Sequence, residues 1–178
     1  MAPTLNDSLV AGDPAAFATL YDRLAGRLLS TARIMAASPA DAEDIVHDVF
    51  VELARHRTRL ATVTDLEAYV FTMLRHAVSR RRRRAAIDRG AVATISRQRQ
   101  RDGLGITAPA LLPDDALQAA VAALPDAQRE VVTLKFQGGL TFAEIAAAMG
   151  TSLNTAASRY RYAMDKLRSL IQTEEGSR

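Results

Sequence analysis

Cysteine is absent from the chain, and so is tryptophan. Without cysteine there is no disulfide framework, no thiol nucleophile and no thiolate zinc site. The three histidines, His47, His56 and His76, lack tight ligand spacing, so neither a metal nor another cofactor is expected. Aromatics make up only 5% and glycine is scarce at 9 residues, whereas Ala, Leu and Val dominate an apolar fraction of 48%. That balance disfavours a β-sandwich and favours helices packed closely on small side chains. No apolar run approaches the ~20 residues needed to span a bilayer, and Met1 to Val10 lacks the basic start and apolar core of a leader. A cytoplasmic protein without membrane insertion is the expectation.

What is present is unevenly distributed. The net charge is only +3, but acids gather between Asp41 and Glu52 and arginines between Arg75 and Arg101, a division that suits partners of opposite sign. Nearly all the cations are Arg, whose forked guanidinium binds phosphate and base edges better than Lys does. A GC-rich genome enriches Arg and Ala as well, so composition alone does not separate the two explanations.

Helix signals recur along the chain. Asp13 and Pro14 open the first helix, with Phe17, Leu20, Tyr21, Leu24, Leu28 and Ala32 on one face. Ser38-Pro39 with Asp41 opens the second, whose apolar stripe is Ala42, Ile45, Val46, Val49, Phe50 and Leu53. Thr64 and Glu67 have capping-box spacing for a third, carrying Leu66, Val70, Met73, Leu74, Ala77 and Val78 to an end near Ala86. From Ile87 to Pro113 the periodicity fails, and Gly103, Gly105 and Pro109 interrupt a basic stretch that reads as a flexible linker. Beyond it, Asp114 or Asp115 opens a helix containing Leu117, Val121 and Leu124. Pro125-Asp126 opens another, closed by Gly138-Gly139. The fold class expected is all-α: an N-terminal bundle of three to four helices over 8–86, a linker over 87–113, and a C-terminal four-helix domain over 114–172.

The strongest local pattern is Thr141 to Gly150, a Thr-x-x-Glu capping box with Ile145 and Met149 inward and a terminal glycine. A helix restarts at once, with Asn154 as its cap and Ala156, Tyr160, Ala163, Leu167 and Leu170 as its inner seam. Thr155, Ser158, Arg159 and Tyr162 remain outside. Short helix, glycine turn and longer helix with hydroxyl and Arg groups outward make a helix-turn-helix, whose second helix can enter a major groove. An ordinary αα-hairpin with a solvated face is the bland alternative.

Three segments of the C-terminal half, Asp126 to Val132, Gly139 to Ala146 and Asn154 to Ala163, resemble the fourth conserved region of extracytoplasmic-function sigma factors. In the N-terminal half, Gly12 to Tyr21 and Asp41 to Phe50 resemble the second region. Two motifs in the right order are far more specific than a lone helix-turn-helix. The resemblance implies a non-catalytic, dissociable subunit of RNA polymerase that confers promoter specificity. Its partners would be core RNA polymerase, promoter DNA and an anti-sigma factor, with no small-molecule substrate.

Site residues follow from the motifs and the resemblance together. Thr155, Ser158, Arg159, Arg161 and Tyr162 are expected to touch the minus-thirty-five element as duplex. Asp41, Asp44, Asp48 and Glu52 share one helix face, where like charges repel and a basic partner would relieve them. A solvated face is the alternative, and the resemblance implies docking on the clamp coiled coil of the largest polymerase subunit. A nuclease-type metal site is disfavoured, because carboxylates spread along one helix do not converge on one ion. Tyr69, Arg75, His76, Arg80 and Arg83 lie outside or beside the stripe of the third helix, which the resemblance implies melts the minus-ten element. The loop Arg59 to Asp65 would receive a flipped base. Tyr69 stands where the family usually has Trp, His76 where it has Asn, and Arg80 where Asp is common. Core packing is the competing reading for Tyr69 and Phe71, and a surface or capping role for His76. In the recognition helix, Ala157 replaces a basic residue and Ala156 a larger aliphatic one. A free-standing helix-turn-helix regulator and a nucleic-acid-processing enzyme are the competing functions.

Overall fold

Side-chain caps open most of the α-helices in the computed structural model, which describes residues 3–93 and 115–175. Among them are eight α-helices and one 3₁₀ segment, with no strand. Thr4 and Asp7 form a reciprocal capping box that starts α1 (Leu5–Ala11), a helix the sequence reading missed. Asp13 accepts from the Ala15 amide at 2.9 Å and Pro14 follows it, opening α2 (Pro14–Met35) as expected. The hydroxyl of Ser38 accepts from the Asp41 amide at 3.1 Å to open α3 (Pro39–Arg55). A 3₁₀ segment (Arg57–Thr62) leads to α4 (Leu66–Ala93). Here Asp65, not Thr64, accepts the amide of Ala68, and Glu67 turns to arginines of α2 instead of closing a box. α4 also runs past the expected end at Ala86 into the span read as linker. The rest of that span, 94–113, lies outside the described residues.

The C-terminal half contains α5 (Asp115–Ala122), α6 (Asp126–Phe136), α7 (Phe142–Met149) and α8 (Leu153–Glu175). Periodicity placed the core correctly in the long helices: Leu20, Leu24, Leu28, Ile45, Val49, Leu53, Val70 and Leu74 are all buried. Phe71 is fully buried, as core packing required. Tyr21, expected inside, is 51% exposed and instead lies against Phe50 with ring centroids 4.9 Å apart.

The two halves do not sit apart. α6 packs on α2 and α7 on α4, and one buried apolar cluster runs from Leu24, Phe71 and Leu74 to Val131, Leu134, Leu140 and Ile145. Gly138 permits this approach. A Cβ there would lie 2.6 Å from the Leu134 carbonyl oxygen and 3.3 Å from Phe71 Cδ1. A second, smaller cluster of Ala120, Leu124, Val132, Ala163 and Leu167 belongs to the C-terminal half alone.

Candidate nucleic-acid interface

The helix-turn-helix is α7, the turn at Gly150 and α8. Thr141 and Glu144 form the expected capping box, and Gly150 ends α7 at φ 61°, in the left-handed region that favours glycine. Ser152 caps α8, accepting from the Thr155 amide at 3.1 Å, whereas the expected cap Asn154 is an exposed residue of the first turn. Both residues can cap; the tight turn after Gly150 starts the helix early enough to select the first. Ala156 and Ala163 are fully buried, so α8 lies close on the helices beneath it. Tyr160 is half-buried and meets Phe142 edge-on at 5.3 Å.

The outer face of α8 carries the five residues expected there. Arg161 and Tyr162 are exposed, and Thr155, Ser158 and Arg159 are half-buried. The Thr155 hydroxyl lies 2.8 Å from that of Ser152, and Arg161 donates to Ser158 at 3.4 Å. Among the described residues, neither Arg159 nor Arg161 forms an ion pair, so both positive charges remain available on that face.

The acidic face of α3 is different. Arg81 bridges Asp41 at 2.6 Å and Asp44 at 2.9 Å, and Arg80 holds Glu52 at 2.7 Å. The hydrogen bond that Arg81 donates to Asp41 raises its already high pKa further. The relief of repulsion expected from an outside partner is therefore supplied largely by α4. These pairs are open to solvent, so each contributes about 0–1 kcal/mol and exchanges readily for another basic partner. Asp48 forms no ion pair among the described residues and is exposed.

The α4 residues expected to face unpaired DNA divide into two groups. His76 and Arg83 are exposed. The His76 pKa lies below its ordinary value, first through desolvation and then through the neighbouring Arg75 and Arg80 charges. Arg80 is engaged by Glu52, and Tyr69 is half-buried against the core. Arg75 departs furthest from the expectation. Its guanidinium donates to Glu130 at 2.7 Å and to the Ala148 carbonyl at 2.8 Å, and the two paired side chains are only 18% and 16% exposed. The cause is the packing of α6 and α7 across α4.

Other residues of this contact escaped sequence reasoning. Arg27 on α2 donates to the Gln137 and Gly138 carbonyls at 3.2 and 3.3 Å, holds Glu67 at 2.7 Å and lies over the Phe71 ring. Arg23 also pairs with Glu67, and hydrogen bonds from Arg23 and then Arg27 lower the Glu67 pKa. Arg129 is 7% exposed and closes the end of α5 by donating to the Val121, Ala122 and Leu124 carbonyls. Burial pushes its pKa down. Only its place inside the resembling Asp126 to Val132 segment hinted at a role. Among the described residues, no group of three or more His, Asp or Glu is placed to hold a metal ion, and no helix is long and apolar enough to cross a membrane.

Comparisons with known proteins agree on both halves. Sigma-70 region 2 matches residues 20–87, and sigma-70 region 4 matches residues 114–167. The ECF RNA polymerase sigma factor RpoE of Cereibacter sphaeroides is 30% identical over 177 residues, covering 88% of this chain and 86% of that protein. SigK of Mycobacterium tuberculosis, also an ECF RNA polymerase sigma factor, is 27% identical over 91% of this chain and 89% of its own. In fold, the chain is similar to the sigma factor RpoE of Bartonella quintana, solved in complex with the anti-sigma factor NepR. The TM-score is 0.71 at 21% identity, covering 88% of this chain and 96% of that one. CnrH, solved with the cytosolic domain of CnrY, gives 0.66 at 23% identity, covering 95% and 96%.

Proposed function

The chain belongs to the extracytoplasmic-function family of RNA polymerase sigma factors, and from that premise we propose how its parts divide the work of directing promoter-specific initiation. The C-terminal unit, residues 114–172, binds the minus-thirty-five element as duplex through Thr155, Ser158, Arg159, Arg161 and Tyr162. The observation that carries this is the outer face of α8, on which Arg159 and Arg161 have no acidic partner among the described residues. A helix presenting two uncompensated guanidiniums from a turn fixed by a capping box and a left-handed glycine suits a major groove.

The N-terminal unit, drawn from the sequence as 8–86, docks on polymerase through Asp41, Asp44, Asp48 and Glu52, trading its exposed internal pairs for basic groups of the partner. It opens the minus-ten element through Tyr69, Arg75, His76, Arg80 and Arg83, with the loop Arg59 to Asp65 receiving an unpaired base. Arg75 and Arg80 are engaged internally, so this role requires α6 and α7 to leave α4 and Arg80 to leave Glu52. The protein is not itself an enzyme, because nucleotidyl transfer belongs to the polymerase, and it works in the cytoplasm where the polymerase is. Solved relatives held by anti-sigma factors support an anti-sigma partner here too.

Transcription in vitro with purified core polymerase on a promoter library tests the assignment. Transcripts that require this protein and depend on both promoter elements are expected. Tight binding to duplex DNA without core, and no promoter-dependent transcript with it, would overturn it.

A further inference from the structure

α1 is too short to hold its shape by backbone hydrogen bonds alone, yet both of its ends are fixed. The Thr4 and Asp7 box closes its start, and the Gly12 and Asp13 amides donate to the Leu9 and Ser8 carbonyls at its finish. Leu9 is fully buried beside Leu60, which is 1% exposed, so the helix lies against the 3₁₀ segment Arg57–Thr62. The polar contact between them is specific. Asn6 Nδ2 donates to the Leu60 carbonyl at 2.8 Å and to the Val63 carbonyl at 3.4 Å, spanning the last turn of the segment. With two carbonyl acceptors before it, the amide nitrogen is the end of the side chain that faces the loop. At the other end, Gly12 has φ 85°, and a Cβ there would stand 2.9 Å from Arg57 Nε. α1 thus bonds the segment where it ends, and the glycine that closes α1 lies close to the side chain of Arg57 where the segment begins. Around Leu60, the residues Arg57, Thr58, Arg59, Ala61, Thr62, Thr64 and Asp65 stay exposed.

We propose that α1 positions the minus-ten recognition loop and that Asn6 is the positioning residue, holding the Leu60 and Val63 backbone so that the exposed rim presents one preformed surface to an unpaired base. This rests on the reading of Arg59 to Asp65 as the loop that receives that base. Asn6 reaches no DNA itself. It acts by removing alternative loop conformations before binding, so that ordering the rim costs less for the base the loop fits.

The test uses holoenzyme assembled from the full chain and core polymerase, scored on a library randomised at the minus-ten element. Asn6→Ala removes both donated bonds while favouring helix in α1 and leaving Leu9 in place, so the protein should still fold. Discrimination among minus-ten bases should fall about fivefold, as expected for losing a hydrogen bond of ordinary net strength. Preference at the minus-thirty-five element and affinity for core should not change, while hydrogen exchange over 57–63 should quicken. Asn6→Asp keeps the size but sets a carboxylate against two carbonyls, and should reduce discrimination further.

Arg59→Ala and Thr64→Ala, both on the rim, serve as controls. If they alter minus-ten preference while Asn6→Ala and Asn6→Asp leave it at the wild-type level, the positioning role is wrong and the loop reading stands. If the rim variants leave minus-ten preference untouched, the loop reading fails and the proposal falls with it. An equal loss of transcription at every promoter, accompanied by weaker core binding or lower thermal stability, would make Asn6 a merely structural residue and overturn the proposal.

Discussion

Arg159 stands half-buried on the outer face of α8 and, among the described residues, forms no ion pair. If it reads a base edge, Arg159→Ala should cost about 1–3 kcal/mol of promoter discrimination, measured as the ratio of affinities for matched and mismatched minus-thirty-five elements. A uniform loss across sequences would make it a phosphate contact instead. Glu67 supports a prediction of a different kind, because its carboxylate accepts from Arg23 on one side and Arg27 on the other. Those hydrogen bonds lower its pKa in the folded protein, so the folded carboxyl releases its proton more readily than the unfolded one. The stability it contributes is complete above the ordinary glutamate range and is lost as pH falls through its lowered folded value. Glu67→Gln should therefore make the urea midpoint less sensitive to acidification from about pH 6 to about pH 3. An unaltered acid dependence would show that the two arginines hold Glu67 too loosely to matter.

α3 and α4 form an element pair in which each balances the charge of the other. Reversing Asp44 and Asp48 to Lys removes one exposed bond to Arg81 but leaves Asp41 in place, and such pairs are each worth about 0–1 kcal/mol. Thermal stability and helicity should change little while affinity for core polymerase drops, measured by competition with the wild-type protein. Unfolding, or unchanged core binding, would remove this face from the docking assignment. The same pair marks what the sequence could and could not disclose. Stripes at helical spacing identified Ile45, Val49, Val70 and Leu74 as core because burial on one face imposes that period. The Arg81 to Asp41 bridge joins residues far apart in the chain, and no local pattern reports it. Caps were legible to within a residue or two: Asp13, Ser38 and Thr141 act as expected, whereas Asp65 and Ser152 displaced the neighbours Thr64 and Asn154. Adjacent residues with equal capping chemistry leave that choice to turn geometry and packing. α1 escaped because its few turns establish no period, although Thr4 and Asp7 have the spacing of a box. α4 passed its expected end because Arg and Ala favour helix by propensity, without the apolar stripe that marks an amphipathic one.

At the scale of the molecule, the two halves share a core, and the contact uses groups that promoter binding would need. Arg75 faces outward from the α4 stripe and so read as a DNA contact; only the distant Glu130 and the end of α7 turn it into an interior bond. Local spacing is silent about such a partner, which explains why the internal bonds of Arg75 were not legible in the sequence while the outer face of α8 was. On the proposed minus-ten role of Arg75, DNA would have to compete with Glu130 for it. Breaking a buried pair by losing one partner costs up to about 3–5 kcal/mol, because the remaining charge is left without compensation. Glu130→Lys goes further by placing a second cation beside Arg75, so it should part α6 and α7 from α4 while the caps and separate apolar cluster of the C-terminal half persist. Small-angle scattering of the free protein should then report a larger radius of gyration, and single-stranded minus-ten DNA should bind more tightly than to the wild type. Combining Glu130→Lys with Arg75→Glu restores opposite charges and should return the compact dimensions without restoring DNA affinity, since the guanidinium itself is gone. Wild-type dimensions and unchanged single-strand affinity in Glu130→Lys would mean that the shared apolar core around Phe71, Leu134 and Ile145 holds the halves together by itself, with the ion pair only orienting Arg75.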